Sequence, residues 1–334
     1  LKPERTNSFE VGMNMRFLKN FELDVTYYNA KTMNQTFNPE LPVGEYARIY
    51  IQTGAVRNQG LELALNYNNT WKDFTWNTGV TYSMNKNKIL TLADNAINPI
   101  TGEKFSISSL NMGGLGSTRF ILKEGGSMGD IYSLMDLKRD ANGAVYIDEN
   151  NSVVTESLEA NNYIKLGSVL PKGNLAWRNN FSWKNINVAF LVSARLGGVV
   201  FSRTQAVLDN FGVSEASAAA RDKGYVSVNG NDRVNPEGWY SVVAGGTAVP
   251  QYYIYSATNI RLQEASIGYT IPRKWLGNVC DIKVSLIGRN LWMIYNKAPF
   301  DPESVASTDN FYQGIDYFMM PSLRNIGFNL SFKF

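Results

Sequence analysis

The last ten residues, "NIGFNLSFKF", alternate without a break: Ile326, Phe328, Leu330, Phe332 and Phe334 against Asn325, Gly327, Asn329, Ser331 and Lys333. Successive side chains of an extended strand point to opposite faces, so the segment carries one bulky apolar face and one small or polar face. Two architectures accept such a strand. In a soluble sandwich the apolar face meets a second sheet; in a membrane barrel it meets lipid, and the polar face meets the lumen.

The same period runs through the chain. Phe9, Val11, Met13, Met15 and Phe17 lead through "LKN" into Phe21, Leu23, Val25 and Tyr27. Leu61, Leu63, Leu65 and Tyr67 lead across "NNTWKD" into Phe74, Trp76, Thr78, Val80, Tyr82 and Met84. Leu175, Trp177, Phe181 and Trp183 lead through "KN" into Ile186, Val188, Phe190, Val192, Ala194 and Leu196. Each reads as a hairpin with strands of ten residues or more, as a tilted membrane-crossing strand requires. Closing strands are expected at 259–271, 281–292 and 323–334. A slip of phase between Ile260 and Leu262 on one side and Ile267 and Tyr269 on the other predicts a bulge near Glu264. Weaker patterns at 47–53, 119–123 and 131–136 bring the total to about ten to twelve strands.

Between hairpins lie long polar, glycine-rich excursions, at about 34–59, 90–118, 202–256 and 295–322. Short turns at one end and long loops at the other match outer-membrane barrels, and a sandwich predicts no such asymmetry. Composition agrees: charged residues are 18% and aromatic residues 13%. The longest uncharged apolar run, around Val188–Val192, is far short of the ~20 residues of a membrane helix. With a net charge of +3 and scattered Lys and Arg, the chain lacks the basic stripe of a nucleic-acid binder.

Several blocks carry a resemblance beyond periodicity. "LKPERTNSFEVGM", "GAVRNQGLELALNY", "LPKGNLAWRNNFSW", "IRLQEASIGYTIPRKW", "LIGRNLWMI" and "SLRNIGFNLSFKF" resemble, in this order and from end to end, the C-terminal half of SusC/RagA-type TonB-dependent transporters. The resemblance implies an all-β fold: residues 1–334 as the C-terminal portion of a 22-stranded antiparallel transmembrane barrel, multi-pass in the bacterial outer membrane. It implies that Phe328, Leu330, Phe332 and Phe334 form a barrel-assembly signal. It implies TonB-dependent import of oligosaccharides, or of peptides as in the RagA kind, under a SusD-like lipoprotein lid. The TonB–ExbB–ExbD motor would act through a plug and TonB box that these residues do not contain. The chain opens at Leu1 without a methionine or signal sequence, so an upstream segment is expected.

Candidate sites are few. With no histidine, Ser–His and Cys–His pairs and His metal sites are excluded within the chain, and one cysteine, Cys280, offers no cluster. No catalytic residue, metal or cofactor is expected, and an independent small barrel enzyme or adhesin stays the alternative. "DANGAVYIDENN" places Asp140, Asn142, Asp148 and Glu149 in an oxygen-rich loop, read as a turn because the EF-hand spacing is missing. "GGLG" and "GGSMG" lack the P-loop Lys and read as turns. Trp239, Tyr240, Tyr252 and Tyr253, with Asp209 and Asn210, suit sugar rings or peptide side chains at a barrel mouth. The plainer reading makes these aromatics an interfacial girdle or a lid contact. Tyr295 and Asp301, at the start of another outer loop, share that ambiguity.

Overall fold

The computed structural model describes residues 3–37, 50–97, 102–246, 248–277, 279–307 and 312–333. Nine strands pair in chain order as one antiparallel meander: β1 (Arg5–Phe17), β2 (Phe21–Phe37), β3 (Ile51–Trp71), β4 (Phe74–Thr91), β5 (Gly173–Trp183), β6 (Ile186–Leu196), β7 (Asn259–Ile271), β8 (Asp281–Asn296) and β9 (Asn325–Lys333). Tight links join them at one end. Leu18–Asn20, Lys72–Asp73 and Lys184–Asn185 close three hairpins, and residues 272–280 close the fourth. Leu18, Lys72 and Lys184 hold left-handed φ of 48°, 53° and 52°, the backbone that a short hairpin loop demands to match strand twist. Residues 38–50, 92–172, 197–258 and 297–324 make the links at the other end.

Register keeps the two faces separate across the whole sheet. Met13, Val25, Leu63, Tyr82, Leu175, Ala194, Ile260 and Tyr295 stand opposite one another in a single row on the outer face. The inner face at the same height reads Thr26, Glu62, Ser83, Asn174, Arg195, Asn259 and Asn296. One slipped residue in any strand would exchange these sets. The expected bulge preserves them: Gln263 is skipped in both neighbouring ladders, one position from Glu264.

The outer face is built for lipid. Phe9, Ile267, Leu286, Ile326 and Phe328 are each more than half exposed, with no second sheet against them. Near the tight turns, nine rings from Phe17 to Phe190 form a chain across six strands, with centroid spacings of 4.7–6.5 Å. Such a belt suits a membrane interface. Two of its indoles are paired: Trp76 Nε1 donates to Asn179 Oδ1 at 3.1 Å, and Trp177 Nε1 donates to Thr78 Oγ1 at 3.1 Å.

The buried core lies elsewhere. The long links pack together as a crown whose core includes Phe120, Ile131 and Leu137 from 92–172, Phe201, Val234 and Tyr253 from 197–258, and Ile315 from 297–324. A second cluster, Phe37, Val56, Ile89, Leu92, Leu110 and Leu122, fixes the crown to the tops of β2–β4. This differs from the sequence reading. The patterns at 119–123 and 131–136 are strands, Thr118–Lys123 and Asp130–Ser133, but they belong to a four-stranded sheet in the crown. Alternation marks a two-faced strand and says nothing of which sheet it joins. The large sheet therefore has nine strands among the described residues, not ten to twelve. Residues 51–59, taken for loop, lie in β3, whose 21 residues carry it well past a bilayer. Residues 47–49 and Phe334 lie outside the described residues.

Two predictions separate sheet from crown. Leu63→Arg, facing outward, costs about 2–4 kcal/mol of barrel stability in lipid, whereas Ala64→Arg, facing inward, costs little, as read by urea unfolding in vesicles. Phe201→Ala costs the crown about 3–5 kcal/mol. In that variant limited proteolysis cuts 92–172 and 197–258 while the heat-modifiable barrel band persists.

Candidate functional site

Three short helices form the crown's upper part: α1 (Arg203–Asn210), α2 (Glu215–Lys223) and α3 (Pro236–Val243). Each has a side-chain cap, Ser202 to Gln205 N, Ser214 to Ser217 N and Asn235 to Glu237 N, so these sequences start helices where strands cannot continue. Gly224, at φ 84°, ends α2 in the left-handed conformation that glycine accepts. Between the helices is a cavity of about 560 Å³ lined by Asn210, Arg221, Asn235, Glu237, Tyr240 and Ser241 among others. Both charge signs, two amides and a phenol converge there. Burial, then the nearby Asp209 charge, pushes the Tyr240 phenol above its ordinary value, so it stays a neutral donor.

The sequence candidates divide. Asn210 and Tyr240 line this cavity. Asp209 also borders it, but its carboxylate is committed: Gln205 Nε2 donates to Oδ1 at 2.8 Å and Tyr253 Oη to Oδ2 at 3.0 Å. Tyr253 is 3% exposed and its phenol is pushed far up by burial and by Asp209. The pair holds the crown together and offers no ligand face. Trp239 packs edge-on against Tyr252 at 5.2 Å, with Tyr252 partly open to solvent. Tyr295 is in β8, paired with Ile260 on the outer face of the sheet and apart from this cavity. The oxygen-rich loop is a pair of turns: Asp140 Oδ1 accepts from Asn142 N and Ala144 N, and Asp148 Oδ1 from Asn150 N and Ser152 N.

Asp301 is also spoken for. Arg261 reaches from the inner face of β7 and donates to Asp301 at 2.9 and 3.3 Å, and lies 3.1 Å from Glu303. Ser322 Oγ donates to Asp301 at 2.6 Å and the Glu303 N–H at 3.0 Å. Burial alone would raise the Asp301 pKa; the Arg261 hydrogen bonds, Ser322 and the Glu303 amide outweigh it and hold the carboxyl below its usual range. The clasp ties link 297–324 to the wall.

Below the crown, the inner face forms a second concavity of about 650 Å³, bounded by Asp24, Glu62, Ser83, Asn174, Arg195 and Glu303 among others. None of these was singled out from sequence. Except for Glu303, which comes from link 297–324, their signal was their parity: each lies one step from an outer-face apolar residue, so the alternation that marked the strands also marked the wall.

The clasp has a pH signature. Because native Asp301 titrates below a free carboxylate, its contribution is complete above about pH 4 and is lost as pH falls through the lowered native value. Protease cleavage within 297–322 stays flat down to about pH 4 and rises below it. Arg261→Ala releases both acidic partners and raises cleavage at neutral pH, the loss of a buried partner costing about 3–5 kcal/mol.

Comparison with known proteins fits this geometry. Residues 1–188 match the family model described as TonB dependent receptor-like, beta-barrel. TonB-dependent receptor P3 of Formosa agariphila is 26% identical over the whole chain, and TonB-dependent receptor P26 of the same organism is 27% identical over 99% of it. The chain spans about a third of either relative, 34%. Among solved structures, the RagAB peptide importer in its closed-closed state superposes with a TM-score of 0.68 at 17% identity, covering 98% of this chain and 35% of that one. Its open-open state gives 0.69 at 17%, covering 100% and 35%. At that identity the likeness is one of fold. The family is one of outer-membrane receptors and transporters, not of enzymes. The chain belongs to the TonB dependent receptor-like β-barrel family.

Proposed function

We propose that this chain is the C-terminal part of a TonB-dependent importer that carries oligosaccharides across the bacterial outer membrane. The observation that carries the reading is the continuous two-faced sheet: nine strands with a lipid-compatible exterior backing a polar, mixed-charge wall. Both edges of that sheet, β1 and β9, have no neighbour on their outer side among the described residues. A bilayer does not tolerate unpaired strand edges, so further strands complete the barrel, in keeping with the 22 that the resemblance implies. An independent barrel of these nine strands alone, enzyme or adhesin, would have to pair β1 with β9.

The cargo enters through the crown cavity, where Tyr240 supplies a flat face and Asn210, Asn235 and Ser241 supply neutral hydrogen bonds suited to sugar hydroxyls. Energy comes from TonB–ExbB–ExbD acting on a plug and TonB box carried by another part of the protein. A SusD-like lipoprotein covers the mouth. Exposed Phe211 and Val213 after α1, together with Tyr317, Phe318, Met319 and Met320, supply apolar surface for it. A peptide cargo is the second reading, favoured by the fold shared with the RagAB peptide importer and by the Arg221 and Glu237 charges in the cavity.

The test is growth and uptake with the complete protein in a host lacking paralogues, supplied with labelled oligosaccharide or labelled peptide. Tyr240→Ala lowers uptake affinity for the carried class about tenfold, as loss of one stacked ring costs about 1 kcal/mol or more, and leaves the barrel intact. Peptide uptake alone would replace the glycan reading; uptake of neither that depends on this gene would remove the transport reading.

A further inference from the structure

The outer face changes character above the apolar band. From Phe74 to Met84 the outward side chains of β4 are apolar except Thr78, and the next two are Lys86 and Lys88. Those ten steps span about 34 Å along the strand. At a tilt near 45° this is about 24 Å of height, close to the ~25 Å apolar band of an outer-membrane barrel. Lys86 and Lys88 therefore stand just beyond the hydrocarbon on the crown side, at the level of lipid headgroups.

They are not alone there. Asn7, Lys31, Arg57 and Lys88 occupy one cross-strand row of the outer face, and Asn29, Gln59 and Lys86 the row beneath. Neighbouring strands are about 4.8 Å apart, so four cations lie on three adjacent strands within about 10 Å of width. No described carboxylate forms an ion pair with any of them. Arg57 Nε is shielded from solvent and has no hydrogen-bond partner. The charge of the row, unmatched by any described carboxylate, is what calls for an external anion. The outward faces of β5–β9 carry no comparable row among the described residues.

We infer that Lys31, Arg57, Lys86 and Lys88 form a binding site for the phosphate groups of an outer-leaflet glycolipid, with its acyl chains lying on the apolar band below. Phosphate suits the set: Arg57 provides a planar fork and the lysines provide mobile point charges. More than one phosphate can be seated along a row of this width. The inference rests on the membrane-barrel reading of the strands, though not on the identity of the cargo.

The experiment uses the complete protein, first shown to be inserted by its heat-modifiable band, then examined by native mass spectrometry after titration with bis-phosphorylated lipid A and with its enzymatically dephosphorylated form. The variant replaces Lys31, Arg57, Lys86 and Lys88 by Gln; the control replaces Lys19, Lys72 and Lys184, at the tight-turn end, by Gln. Retained bis-phosphorylated lipid falls at least about tenfold in the four-site variant and is unchanged in the control, since each basic group near a charged lipid surface contributes measurably. The dephosphorylated lipid binds wild type and variant equally weakly. Equal retention by wild type and four-site variant overturns the site. Displacement by millimolar inorganic phosphate overturns the lipid as ligand in favour of a free anion. Failure of insertion would instead strike the barrel reading, and uptake assayed in parallel keeps the transport reading separate.

Discussion

The interstrand hydrogen-bond ladder is the constraint on which the other features depend. In hydrocarbon every peptide group must find its partner within the protein, so a strand can enter the membrane only if both of its edges are paired. The nine strands satisfy each other in strict sequence order, with tight turns at one end and the crown at the other. Because the ladder fixes register, it also fixes which residues face lipid. The Gln263 bulge illustrates the point: β7 needs an extra residue, and by leaving it unpaired in both ladders the sheet keeps Leu262 and Ala265 outward on either side.

The same ladder explains why the crown has a core of its own. A lipid-facing sheet has only one protein-facing side, and here that side is polar. Large side chains from the long links cannot bury themselves against it, so they bury themselves against one another around Phe120, Phe201 and Ile315. Three links that are far apart in sequence thus become one packed body. Its attachments include the cluster around Ile89 and Leu92 at β2–β4, the hydrogen bonds of Asn87 with Met128 and of Arg195 with Val169, and the Arg261 clasp at β7. Crown and wall can therefore shift relative to each other only by breaking identifiable contacts, of which the clasp carries charge.

The strands were legible because each must solve the same two-sided problem within about ten residues, and the solution is written as alternation. Phe9–Phe17 and Ile326–Phe332 needed no tertiary information. The crown was not legible in this way. Phe120 and Ile131 alternate much as membrane strands do, yet their partners are Phe201 and Val234, a hundred residues away. The surroundings of the candidate site residues were hidden for a related reason. Tyr253 and Asp209 look like a ligand pair when listed by type, but one hydrogen bond between them consumes both. The second bulge in β8, between Met293 and Tyr295, turns Tyr295 to the outer face, which alternation counted from Trp292 does not foresee. Tyr240 and Asn210 line the crown cavity; aromatic and amide groups in a helical loop have less opportunity to be consumed by a strand ladder.

Charge along the route from cavity to wall follows from these commitments. Asp209 is hydrogen-bonded by the neutral Gln205 and Tyr253, and Arg261 is ion-paired with Asp301 and Glu303, so both groups are committed within the protein. The wall below the crown presents Asn, Ser and Thr groups with charges of either sign at Asp24, Glu62 and Arg195. Such a surface offers many exchangeable hydrogen bonds and no deep electrostatic well. A strongly charged cargo would be held wherever the opposite sign was unpaired, whereas a hydroxyl-rich one can trade partners step by step. On the transport reading proposed above, a wall of mixed charge would favour passage over capture and leave selection to the crown.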